Sequence, residues 1–319
     1  MKVNKVKVGV AAITVLLFAI FFYWGYTFGL RKAIETFPEP EEIWAKEEGV
    51  RLKSGVSPDV IRLSDGSWRM YYTVKEGVVS AVSQDGKTWT KEQGVRVAPA
   101  DHSRNQARIG SATVMTLKDG TFRMLFEAGD EKQTRFEILS ATSKDGLEWK
   151  KESGVKVSDT NRFDQSIAAS PDAVKTEDGS WRLYYSDGDT IKLAVSSDEG
   201  LKWNKQSIDG LPAASIDPSV VIMPDGVYRM YFVKSASTDK LDRARILSAR
   251  SANGYNWNVE PGTRVAADKG ANMVMDPDVV LSSLGKMRMY YTQLDKGLIN
   301  GTGAKAPKLS IRSAGLELM

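Results

Sequence analysis

The sequence contains no cysteine and a single histidine, His102. The first absence excludes disulfides, thiol nucleophiles and thiolate metal sites. The second leaves a histidine metal site or a Ser–His relay without support. Beyond Leu30 there is also no apolar run long enough to span a bilayer and no sustained helical period. What remains is a chain of 319 residues, 42% apolar, which is enough for a sizeable core. The formal charge of +4 is misleading as a sign of a polyanion partner. Residues 1–32 carry five basic and no acidic side chains, which leaves the rest of the chain at −1, so no nucleic-acid partner is expected.

The one long apolar run is Val8–Leu30, 23 uncharged residues. As a helix it would reach roughly 34 Å, against a hydrocarbon core of about 30 Å. Lys2, Lys5 and Lys7 precede it, and Phe21, Phe22, Tyr23, Trp24 and Tyr26 cluster toward its far end. The basic flank predicts a cytoplasmic amino terminus and the aromatics an interfacial belt. A cleaved signal peptide would have a shorter apolar region and a small-x-small cleavage site, so an uncleaved signal anchor is the expectation. The expected order is a cytoplasmic tail over 1–7, a transmembrane helix over 8–30, a linker over 31–40 and an exported domain over 41–319. That domain would be periplasmic or extracellular and held to the membrane as a single-pass protein. The lack of disulfides leans toward a bacterial envelope.

The exported part repeats itself. One phrase occurs as SQDGKTWTKEQGVRV (83–97), SKDGLEWKKESGVKV (143–157), SSDEGLKWNKQS (196–207) and SANGYNWNVEPGTRV (251–265). A second occurs as SDGSWRMYYT (64–73), KDGTFRMLFE (118–127), EDGSWRLYYS (177–186), PDGVYRMYFV (224–233) and LGKMRMYYT (284–292). Each copy reads as an apolar strand, an Asp-Gly hairpin, an alternating strand, a third strand, a second Gly turn and a strand opened by Trp. Four antiparallel strands per repeat is the pattern of a propeller blade. The fifth copy stops before its Trp strand, and IWAKEEGVRL (43–52) matches the missing piece. The fold expected is therefore all-β: a five-bladed β-propeller closed by its amino-terminal strand, which removes an exposed edge.

The recurring turn residues Asp85, Asp145 and Asp198 lie on outer hairpins and suit a structural role, as do Arg69, Arg123, Arg182, Arg229 and Arg288. The inner strands carry different candidates. They begin Ser57-Pro58-Asp59, Ser111-Ala112-Thr113, Ser170-Pro171-Asp172, Asp217-Pro218-Ser219 and Asp276-Pro277-Asp278, and a propeller converges such strand starts on its axis. Proline at a strand's first position sacrifices no ladder donor and predicts an extended residue before it. Asp276 and Asp278, two apart, would share a face. Each of these carboxylates is either a ligand-facing group or a plain acceptor for backbone N–H groups.

The SxDGxxW turns resemble the Asp-box of sialidases. The phrase IDPSVVIMPDGVYRMYF resembles the family 43 glycoside hydrolases and the related families 32 and 68, which are five-bladed propellers. That resemblance implies inverting hydrolysis of glycans, with Asp217 as the residue that orients and tunes the acid and Asp276 as the general base. The order of these two along the chain is reversed relative to the family, and no Glu-x-Pro phrase supplies the acid. Inversion requires one protonated and one ionised carboxyl, and Asp172 and Glu127 are the candidates for the acid. Glu127 stands where other copies have Thr73, Ser186, Val233 and Thr292, and is either that acid or a surface side chain. Asp59 and Asp278 are candidates for substrate contact, with His102 and Arg108 from the polar loop entering the second blade. Arg108-Ile-Gly is also faintly similar to the Arg-Ile-Pro of sialidases. Carbohydrate is the expected partner and no cofactor is implied, with a structural cation on the axis an open alternative. The competing reading is a noncatalytic propeller that binds glycan or another envelope protein.

Overall fold

Five antiparallel sheets arise from the five repeats. A computed structural model describes residues 42–317 except 101–105, 133, 162, 235–243, 270, 282–285, 296–298, 301–302 and 305–307. Contacts divide the chain into Met1–Glu42 with Met319, and Ile43–Leu318; the first unit, Glu42 apart, lies outside the described residues. So do the expected tail, membrane helix and linker over 1–40, and His102. Among the described residues no helix is long and apolar enough to cross a membrane.

Blade 1 is built from Val56–Arg62, Trp68–Val74, Gly77–Ser83 and Thr90–Lys91, from the axis outward. Blade 2 follows with Arg108–Thr116, Phe122–Gly129, Arg135–Ser143 and Lys150–Lys151, and blade 3 with Ala169–Lys175, Trp181–Ser186, Ile191–Ser196 and Asn204–Gln206. Blade 4 has Ser215–Ile222, Tyr228–Lys234, Arg245–Ser251 and Asn258–Val259. Blade 5 joins Ala271–Leu281, Met287–Asp295 and Lys308–Glu317 to Ile43–Lys46 from the other end of the chain, in the register Trp44↔Leu316. Each inner strand contacts the next, and the fifth contacts the first, so the ring is closed as the repeats imply.

The repeated residues hold neighbouring blades together. The tryptophan of the second turn packs edge-on against a tyrosine of the preceding blade: Trp89 on Tyr290, Trp149 on Tyr71, Trp257 on Tyr184 and Trp44 on Tyr231. Such pairs add about 0.5–1.5 kcal/mol beyond their burial. The same tyrosines donate to turn carbonyls, as Tyr71 does to Gly146 at 3.0 Å and Tyr290 to Gly86 at 2.7 Å. Only glycine fits there, since a Cβ on Gly146 would lie 2.6 Å from the Tyr71 hydroxyl.

The recurring arginines take the scaffold role expected of them. Arg69 pairs with Glu92 and donates to the Asp145 carbonyl, Arg123 pairs with Glu152, Arg229 with Glu260, and Arg288 with Glu47. In blade 3 the position of the glutamate is taken by Gln206, and Arg182 stacks on Tyr228 and Tyr255 instead. Asp85, Asp145 and Asp198 each accept backbone N–H groups of their own turn, which holds their carboxyls below the usual range.

Candidate functional site

All five inner strands carry an irregularity near their start, a register shift in the ladder to the second strand. In four of them the residue before proline is left-handed, with φ of +50° at Ser57, +48° at Ser170, +52° at Asp217 and +49° at Asp276. This differs from the extended residue expected before a proline. The bulge adds one residue to the inner strand, and a left-handed step absorbs it. Its effect is to turn that residue's N–H toward the preceding blade.

There it finds a side-chain acceptor at the end of that blade's second strand. Ser57 N–H donates to Thr292 Oγ1 at 3.0 Å and Asp276 Oδ2 at 3.2 Å, Ser170 N–H to Glu127 Oε2 at 3.1 Å, and Asp217 N–H to Ser186 Oγ at 3.0 Å. Val233 offers no acceptor, and Asp276 N–H lies instead 3.5 Å from Asp217 Oδ2. Blade 2 has Ser111-Ala112 without proline or a left-handed residue, and the equivalent acceptor, Thr73 Oγ1, has no partner among the described residues. Glu127 is therefore not a surface side chain. It occupies a place where the sibling blades use a hydroxyl, half-buried at the mouth of the axis. Room for it comes from Gly110, where a Cβ would lie 2.7 Å from Glu127 Oε1.

The structure divides the candidate carboxyls into two tiers. Asp217, Asp276 and Glu127 form the outer one, half-buried and joined through Ser170, whose hydroxyl donates to Asp217 Oδ1 at 2.8 Å. Asp59, Asp172 and Asp278 form the inner one, where each carboxylate accepts an N–H of the next blade. Asp59 takes that of Val114 at 3.1 Å, Asp172 that of Val220 at 2.9 Å and Asp278 that of Val60 at 3.0 Å. Thr113 and Ser219 do the same with Ala173 and Val279, which completes a ring of five inter-blade bonds. The inner aspartates thus serve the scaffold, and Asp59 and Asp278 are only 8% exposed. Asp276 and Asp278 do reach the same neighbouring strand, at Ser57 and Val60. Arg108 opens the inner strand of blade 2, exposed, opposite Gly129 and two residues before Gly110.

Among the described residues no lysine or arginine lines the axial cavity, which measures about 30 Å³. Burial without a counter-charge pushes every one of these carboxyls up. Asp59 rises to about 8, with the Asp172 charge adding to burial, and Asp172 rises to about 7. Asp278 is raised well above the ordinary range by burial and by Asp59 and Asp172. In the outer tier Glu127 is pushed to about 7 by burial, with one backbone donor opposing, and Asp217 to about 7 by burial and the charge of Asp276. Asp276 is also raised by burial, but Thr292 and Ser57 donate to it and favour its anion. Among the described residues no group of three or more acidic or histidine side chains is arranged to hold a metal ion.

Sequence reasoning found the carboxyls and missed the residues that organise them: Ser57, Ser170, Ser186 and Thr292 as donors or acceptors, and Gly110 as the space beside Glu127. The signal was available in the repeat, since Ser57 and Ser170 share a register with Asp217 and Asp276.

No curated protein matches the sequence. Solved structures match the fold. An N-acetylgalactosamine deacetylase from F. plautii, crystallised with blood group B trisaccharide, superposes with a TM-score of 0.69 at 16% identity, over 85% of this chain and 95% of that one. A thermostable family-43 glycoside hydrolase does so at 0.64 and 15%, over 86% and 93%, and the native arabinanase of Bacillus subtilis at 0.59 and 19%, over 83% and 96%. At these identities the likeness is one of fold, the five-bladed propeller of family 43. In sequence, the model of the BNR repeat-like domain matches residues 77–282, more than half of the chain, and the chain belongs to that family.

Proposed function

We propose that the propeller is a carbohydrate-active domain, exported and tethered by its amino-terminal segment, that hydrolyses a glycosidic bond at the mouth of its axis with inversion. The observation that carries this reading is Glu127. A hydroxyl suffices for the structural task at that position in blades 3 and 5, so a carboxyl with a raised pKa, facing Asp217 and Asp276, has no scaffold requirement behind it.

Roles follow from the donors each carboxyl receives. Glu127 has a single N–H donor and keeps its proton near neutrality, as a general acid must. Asp276, with donors from Ser57 and Thr292, is the group best able to carry charge and act as base. Asp217 sits between them, bonded through Ser170 to the Glu127 side and close to the backbone of Asp276. In the reaction Glu127 would protonate the leaving oxygen as the anomeric C–O bond breaks. Asp276 would take a proton from the water that forms the new C–O bond on the opposite face. The two groups come from blades 2 and 5, which are not adjacent in the ring, and the sugar would rest on the mouth between them.

The test is release of reducing sugar from arabinans, xylans, fructans, mannans and N-acetylated or sialylated glycans by the full chain in detergent. We expect turnover to fall at least about a hundredfold in Asp276→Asn and Glu127→Gln with folding intact, in line with loss of a general acid or base. A second reading is glycan binding without turnover. The axial cavity of about 30 Å³ favours it, because a sugar ring cannot enter and must rest on the mouth. Retention of a glycan by the wild type with no product on any substrate would establish that reading instead.

A further inference from the structure

We propose that Ser170 is a positioning residue, one that ties Asp217 and Glu127 into a single hydrogen-bonded unit and decides which of the two holds the proton. The inference rests on the reading of the mouth as a hydrolytic site, and it names the group that sets the protonation state of that site.

Ser170 uses both of its donors on carboxyls of different blades. Its N–H points back to Glu127 Oε2 at 3.1 Å and its hydroxyl forward to Asp217 Oδ1 at 2.8 Å. The left-handed backbone, φ +48° and fixed from behind by Pro171, makes the two directions possible at once. Ser57, in the same register and conformation, gives both its N–H and its hydroxyl to the one carboxyl of Asp276, while its Oγ accepts from the Ser111 hydroxyl at 3.0 Å. Among the described residues, Ser170 is thus the serine of this register that bridges two outer-tier carboxyls.

The bridge is asymmetric. A hydrogen bond donated to a carboxylate favours its ionised form, and a shorter bond favours it more. Asp217 receives the hydroxyl of Ser170, with the Asp276 N–H distant at 3.5 Å; Glu127 receives a single backbone N–H. The charged groups facing the pair are Asp276 from blade 5, which bears on both, and Glu127, which bears on Asp217, with no cation among the described residues lining the cavity. Two carboxyls with nearly matched proton affinities are therefore ordered by one hydroxyl. Against the charges of Asp276 and Glu127, the Ser170 hydroxyl is the donor that favours the Asp217 anion, and with it in place Asp217 ionises first and Glu127 keeps the proton required of the acid.

The experiment is a site-resolved NMR titration of the carboxyl carbons of Asp- and Glu-labelled protein, assigned with Asp217→Asn and Glu127→Gln. Ser170→Gly removes the hydroxyl, keeps the N–H and adopts positive φ without strain. Ser170→Asn tolerates the same backbone and restores a donor. In the wild type Asp217 should lose its proton before Glu127. In Ser170→Gly the order should reverse, the Asp217 midpoint rising by about one pH unit or a tenfold change in proton affinity, and Ser170→Asn should return it toward wild type. An unchanged order in Ser170→Gly, or no recovery in Ser170→Asn with the fold intact, would overturn the proposal. The titration needs no substrate, so reordered midpoints without glycan turnover would count against the hydrolytic reading alone.

Discussion

Glu127 and Gly110 depart from the repeat together, and each accounts for the other. The glutamate needs the volume that a Cβ at residue 110 would fill, and Gly110 is not held in the left-handed region, so alanine can adopt its backbone. Gly110→Ala should leave stability within about 1 kcal/mol, because the flexible end of Glu127 can yield, while displacing its carboxyl from the Ser170 amide. The check is turnover, expected to fall at least about tenfold, beside a urea midpoint close to wild type. At this scale the sequence was legible where it broke its own pattern. Asp217 and Asp276 stood out before proline, and Glu127 stood out among hydroxyls. Ser170 did not, because its role depends on a left-handed step before proline that the bulge imposes and that the ordinary restriction on pre-proline residues argues against. Position about the proline does separate the aspartates, since Asp217 and Asp276 precede it and Asp59, Asp172 and Asp278 follow it, but that the second set is tied up by backbone N–H groups of the next blade shows only in the hydrogen bonds.

The blade, as an element, was legible almost entirely. Its strand order, the Trp and Arg seams and the closing strand all follow from repeated phrases, since every copy must solve the same packing problem. What the repeat could not show was a strand particular to one blade, Ser166–Ile167, which pairs parallel with Arg135–Phe136. The closing strand invites a direct test. Trp44 is 7% exposed and meets Tyr231 edge-on at 5.3 Å, so it joins blade 5 to blade 4 as well as one chain end to the other. Trp44→Ala should cost about 3–5 kcal/mol in urea unfolding, the range for truncating a buried aromatic. Trp203→Ala should cost less, because Leu125 replaces the tyrosine on which the other turn tryptophans pack, so the aromatic contribution is absent.

At the scale of the propeller the two tiers place six carboxyls around one axis with no basic side chain among the described residues that line it. Their folded-state affinities for protons exceed those of the unfolded chain, so between about pH 4 and 8 the native state binds more protons and stability falls as pH rises. The opposite sign holds for Glu47 and Glu152, where hydroxyl and arginine donors outweigh burial and hold the carboxyls low. Their contribution is lost as pH falls below about 4. Thermal unfolding should therefore show its maximum on the acid side of neutrality, with a melting temperature several degrees lower at pH 8.5 than at pH 5.5. Combining Asp59→Asn with Asp278→Asn should flatten that slope, because an amide still accepts the neighbouring N–H and carries no charge. The closing of blade 5 by Ile43–Lys46 also bears on synthesis. Blades 1 to 4 are contiguous in sequence and can form as they leave the ribosome, but the bond from Ser57 to Asp276 spans 219 residues and must wait for the last hairpin. A nascent chain thus carries an unfinished mouth until translation has passed Glu317, and any catalytic competence arrives in a single late step.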